Sequence, residues 1–188
     1  MVILKTTYKD KNGKLIAELS SDFTNSQFLP ETQFLDHRDQ YEYKLSHDLK
    51  SKKIEMSNRD SAKENWKTKT VEADSNTMVF QGLLNFIRQN LKSFADPHSE
   101  KVFLAVPSRL DVVELLVSSD SKALKNQIVI SVKAKNYLIR LALSETRLVF
   151  DTLSGRLVEF EGVSNLLDEK DRSQKVKIIY EYILTNGK

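Results

Sequence analysis

An amphipathic stripe followed by two runs that are apolar on both sides constrains this chain more than any other feature. Phe80, Leu83, Leu84, Ile87, Leu91 and Phe94 recur at the three-and-four spacing of one helical face, opposite Gln81, Asn85, Arg88, Gln89 and Lys92. The spacing predicts a helix at about 77–94, with Asp74, Ser75 or Asn76 available to cap its free first-turn amides. Asp96-Pro97 stops it, because proline lacks the N–H that a helix interior needs. Gly82 within the stripe costs about 1 kcal/mol relative to alanine, which implies that another backbone comes close.

Beyond the stop lie Val102–Val106 and Val112–Val117, joined by Pro107-Ser108-Arg109. Both carry apolar side chains at both parities, interrupted by Glu114, and such strands are usually covered on both faces. One cover is the helix. The other is more protein or a ligand, and the functional reading turns on which.

The remaining segments read as half-buried strands. Val2, Leu4, Thr6 and Tyr8 alternate with polar neighbours, and Asn12-Gly13 supplies the tight turn into a second strand at Lys14–Ser20. From Ser21 to Gln40 the alternation breaks, predicting an irregular connection pinned by Phe23, Phe28 and Phe34. Tyr41–His47, Lys53–Asn58 and Asn65–Glu72 follow as strands, with Trp66, Thr68 and Thr70 placed inward on the last. Their many lysines fit charges that keep exposed strand edges from pairing with other chains. Later, Gln127–Lys133 and Tyr137–Leu143 alternate, and Arg147–Phe150 and Arg156–Glu161 flank a hairpin loop whose Gly155 takes the positive φ. Residues 162–171 read as loop. Val176, Ile178, Tyr180 and Tyr182 give a last strand, although Lys175–Leu184 also fits a short helix.

The fold class is therefore mainly β (α+β), an antiparallel sheet with one packed helix, and 188 residues predict a single domain over 1–188. With 29 basic and 26 acidic side chains the net charge of +3 is too small to imply nucleic acid, and no window is apolar enough for a transmembrane segment. The absence of cysteine excludes disulfides and thiol catalysis. His37, His47 and His98 lack the paired spacing that brings two imidazoles to one metal. No nucleophile elbow, phosphate-cradling loop or dinucleotide fingerprint is present, so neither an enzyme nor a cofactor is expected. Asp36-His37-Arg38-Asp39 reads as a solvated turn. The best polar candidates are Arg109 and Asp111 beside the break at Pro107, and Arg140 among apolar neighbours.

In layout, though not in motif, the chain resembles the lipoprotein-localisation-factor-like half-barrels and related periplasmic proteins of the bacterial envelope. The residues that carry the likeness are the helix Thr77–Phe94 between two strand sets, Val106-Pro107-Ser108-Arg109-Leu110, and the hairpin Phe150–Phe160. The resemblance implies a strongly curved sheet wrapping an apolar cavity that a helix closes and an acyl chain fills. Phe80, Leu83, Leu84, Ile87, Leu91, Phe103, Tyr137 and Ile139 would then line it, with Arg140 and Arg109 as head-group anchors. This chain differs in showing neither a leader nor a lipid-attachment cysteine. The leading expectation is a non-enzymatic envelope binding protein for a lipid-like ligand, periplasmic if a leader was removed and otherwise cytoplasmic. The alternatives are a protein–protein interaction module with an exposed apolar sheet face, or a structural protein.

Overall fold

A computed structural model describes residues 2–48, 50–96, 98–120, 126–136, 145–168 and 172–183. Among these the chain is mainly β, with one α-helix and two sheets, neither closed into a barrel. The predicted strand of Tyr137–Leu143, with Tyr137, Ile139 and Arg140, lies outside the described residues. The first sheet is a meander of β1 (Ile3–Lys9), β2 (Leu15–Asp22), β3 (Glu31–Asp36), β4 (Glu42–Asp48), β5 (Lys53–Arg59) and β6 (Lys67–Glu72), each paired antiparallel with the next. The second contains β7 (Thr77–Met78), β8 (Ser99–Val106), β9 (Asp111–Asp120), β10 (Gln127–Ala134), β11 (Thr146–Asp151), β12 (Leu157–Leu167) and β13 (Ser173–Ile179) in the order β13-β12-β11-β10-β9-β8-β7. Its β7–β8 pair is parallel. Compactness divides the chain into one unit of residues 1–87 and 102–114 and another of 88–101 and 115–188.

In the first unit, period-two side chains build one buried face. Ala17, Leu19, Phe34, Leu45, Ile54 and Met56 point the same way by register and are buried. Phe34 stacks on Tyr43 at 5.0 Å and meets Tyr8 edge-on at 6.2 Å, the arrangements that aromatic quadrupoles favour. Leu29, Leu45, Ile54, Met56, Val79 and Ala105 form one core cluster, with Val71, Ala73, Leu110 and Val112 against it. The chain's own first sheet is thus one cover of the two-sided runs.

Several expectations shift. The irregular connection of 21–40 contains strand β3, hidden because two of its buried positions are polar. Thr32 lies 3.4 Å from the Ser21 hydroxyl, and the Asp36 carboxylate accepts from Arg38 Nε at 2.9 Å. Burial pushes the Asp36 carboxyl up, but the Arg38 guanidinium and backbone N–H outweigh it and hold it below the usual value. On β6 the parity is reversed: Ile54 faces Val71 and Ser57 faces Thr68, so Trp66, Thr68 and Thr70 belong to the outer face. The helix α1 spans only Phe80–Gln89, because Thr77 and Met78 pair with Phe103 and Leu104 first. Asp74, Ser75 and Asn76 therefore precede a strand pair rather than cap a helix. Phe94 sits buried in a separate 3-10 turn, Ser93–Ala95.

The Gly82 expectation is met. A Cβ there would lie 1.8 Å from the Phe28 carbonyl oxygen, which also accepts from Val79 N–H at 3.1 Å. Asn85 Nδ2 donates to the Gln27 carbonyl at 3.1 Å, so the segment before β3 is fastened to the helix and to the residue before it through its own carbonyls.

In the second unit Val117, Ile130, Leu148 and Phe160 share one buried face of β9–β12. The opposite face carries ion pairs across strands: Lys133 with Glu145, Arg147 with Glu159, Lys175 with Glu161 and Lys177 with Glu159. Gly155 has φ +67° in the predicted hairpin loop, where Asp151 accepts from the Ser154 N–H at 2.7 Å. Residues 162–167, expected as loop, continue β12, with Gly162 opposite Val176.

Candidate functional site

The residues expected to line a cavity separate by burial. Leu83 and Ile87 are completely buried, Phe80, Leu84, Leu91 and Phe103 half-buried, and Arg109 is exposed in the 3-10 turn Pro107–Arg109. Pro107 and Ser108 offer their carbonyls to Asn58 Nδ2 at 3.1 and 3.0 Å, so this break is anchored from β5. Asp111 lies 3.6 Å from Lys69 Nζ in an exposed pair.

His37 Nε2 lies 2.9 Å from Glu18 Oε2, and His98 stacks on Phe94 at 4.8 Å. Among the described residues no group of three metal-ligating side chains converges.

The outer face of the first sheet has a polar groove of about 350 Å³, lined by Ser20, Asp22, Glu31, Gln33, Lys44, Ser46, Glu55 and Ser57 among others. Beside it the buried Glu42 carboxylate accepts from Gln33 at 2.8 Å, from Arg59 at 2.7 and 3.2 Å, and from Lys44 at 3.1 Å. Burial pushes its pKa up, and those three donors together bring it below the ordinary value. Lys44 and Arg59 then lie over the Trp66 ring at 4.5 and 4.8 Å. The donors are matched to one another. This cluster accounts for a buried acid on a solvated face by tying strands together.

A different surface is apolar and exposed. Strand β13 is the sheet's last strand among the described residues, and its chain continues alongside β12, where Tyr180 N–H donates to the Val158 carbonyl and Tyr182 Oη to the Leu157 carbonyl. Of ten large apolar side chains exposed among the described residues, five fall within 178–183: Ile178, Ile179, Tyr180, Tyr182 and Ile183. Ile179 is 70 % and Ile183 90 % exposed. The alternation anticipated only Val176, Ile178, Tyr180 and Tyr182. The overlooked signal was isoleucine at the opposite parity, at 179 and 183, which a strand with one solvated face has no reason to carry.

The Tyr180 bond to Val158 fixes the strand's orientation: 176, 178 and 180 direct their backbone groups toward β12, and 175, 177 and 179 direct theirs outward. The outward row is a strand edge with donors and acceptors in extended spacing. Comparison with protein-family models, with curated proteins and with solved structures finds no match for this chain.

Proposed function

We propose that this protein is a non-enzymatic interaction module that takes up an extended segment of another polypeptide by strand addition at β13. The carrying observation is the coincidence, on one edge, of outward backbone groups with the exposed Ile178, Ile179 and Ile183. In strand addition the backbone supplies affinity and the alternate side chains supply selectivity. A displayed library of extended peptides tests this. Binders should be recovered with the wild type and lost with Ile179→Pro, whose missing N–H faces the incoming strand rather than β12. Recovery of no peptide, or of peptides indifferent to that change, overturns the reading.

A second reading keeps a lipid-like ligand, supported by the half-buried Phe80, Leu84 and Phe103. It predicts displacement of a fluorescent fatty acid and an acyl chain in mass spectra of gently extracted protein. Absence of both counts against it.

A further inference from the structure

We propose that the segment added at β13 is β13 of a second copy, paired antiparallel about Ile178. The inference rests on the strand-addition reading and names its partner. Antiparallel self-pairing must match outward residues with outward residues, so the register advances in steps of two. Placing Ile178 on the two-fold axis sets Lys175 opposite Glu181 and Lys177 opposite Ile179 of the second copy. The outward residues of β13 from 175 to 179 are then all paired, Lys175 with the Glu181 that follows the second copy's strand.

Charge selects the same partner. On the outer face of β11–β13, Arg147, Lys175 and Lys177 share two carboxylates, Glu159 and Glu161, leaving one positive charge in excess. Glu181 is exposed and makes no ion pair with any described residue. The second copy's Glu181 arrives beside Lys175, joins its pair with Glu161 and offsets the net positive charge of this face, once per copy by symmetry. The apolar centre matches as well, because Ile178 meets Ile178 and the exposed Ile179 is covered by the aliphatic stem of Lys177.

The test uses the absence of cysteine in the chain. Residues facing each other in a non-hydrogen-bonded antiparallel pair have Cα atoms about 4.5 Å apart, within the span a disulfide bridges. Ile178→Cys in the full chain should oxidise to a covalent dimer under native conditions, while Leu153→Cys, still more exposed in the β11–β12 loop, should not. Sedimentation of the wild type should show a dimer whose dissociation constant rises about tenfold or more in Ile179→Pro, since a backbone bond is lost in each copy. Ile179→Lys, which sets like charge against Lys177, should do the same and covers the case in which the proline variant does not fold.

A dimer unaffected by Ile179→Lys and not captured by Ile178→Cys overturns the assignment. So does a wild type that stays monomeric at high micromolar concentration. In that last case the peptide library separates the two ideas: peptides lost in Ile179→Pro leave the edge reading standing with a different partner, and no peptides overturn both.

Discussion

Replacing Glu42 by Gln isolates the charge at the centre of the outer-face cluster while keeping its size. Arg59, three-quarters buried, holds the carboxylate with two bonds of 2.7 and 3.2 Å, and a hydrogen bond to a charged group is worth about 1.5–3 kcal/mol net. Lys44 is about half exposed, so its pair adds only the ~0.2–1 kcal/mol of a surface ion pair. Gln33 still finds an acceptor in the new amide. The expected loss is therefore about 2.5 kcal/mol, or roughly 5–10 °C in melting temperature for a chain of this size.

Urea unfolding followed by the fluorescence of Trp66, the single tryptophan, reads the change at the ring that both cations touch. The pH dependence gives a sharper test. Because folding lowers the Glu42 pKa, its contribution is complete above the unfolded value of about 4.5 and is lost as pH falls through the folded value. The gap between wild type and Glu42→Gln should be constant near neutrality and should close in acid below that point. A gap under about 0.5 kcal/mol at neutral pH, or one that persists unchanged in strong acid, would falsify the pairing argument.

Other outcomes follow from single contacts. Gly82→Ala gains about 1 kcal/mol of helix propensity yet should destabilise by about 2 kcal/mol or more overall, because the new methyl meets the Phe28 carbonyl and backbone cannot step aside; a thermal melt at or above wild type refutes the close approach. Asn58→Ala should cost about 1 kcal/mol by removing its two bonds to the Pro107 and Ser108 carbonyls, the first of which keeps the Leu110 N–H as a donor. Asn58→Asp should be worse at neutral pH, since an anion then faces two carbonyls. Its folded pKa is raised, so stability should recover as pH falls through that value, and paired urea titrations at neutral and acid pH check the sign. Phe34→Ala, in a site with no exposure, should cost about 3–5 kcal/mol by calorimetry.

What could be read in the sequence was local. Asn12-Gly13 and Gly155 announced hairpins because positive φ is demanded at those positions, and Gly13 and Gly155 adopt φ of +81° and +67°. Gly82 announced a backbone contact for a similar reason, although nothing local identified Phe28 as its source. What could not be read depended on partners. Thr32 and Asp36 look solvent-facing until Ser21 and Arg38 are brought beside them. The face of Trp66 was misjudged because its aromatic bulk argues for burial, whereas the pairing of Ile54 with Val71 decides the parity of the whole strand. At the candidate site, the alternation of Val176, Ile178, Tyr180 and Tyr182 was legible, and it did not single out the exposed Ile179 and Ile183. That the strand beside them would be the last in its sheet was not legible, since edge position is a property of topology.

The core of the first unit has a consequence for synthesis. Its six-stranded meander pairs only neighbours in sequence, so hairpins can zip in order as the chain emerges. Yet Leu45, Ile54 and Met56 rest on Ala105, Leu110 and Val112, which leave the ribosome roughly fifty residues later, a delay of a few seconds at ordinary elongation rates. Until then the sheet's apolar face is wet. A nascent chain stalled after Gln89 should therefore be a good chaperone substrate, and one stalled well beyond Glu114 should not.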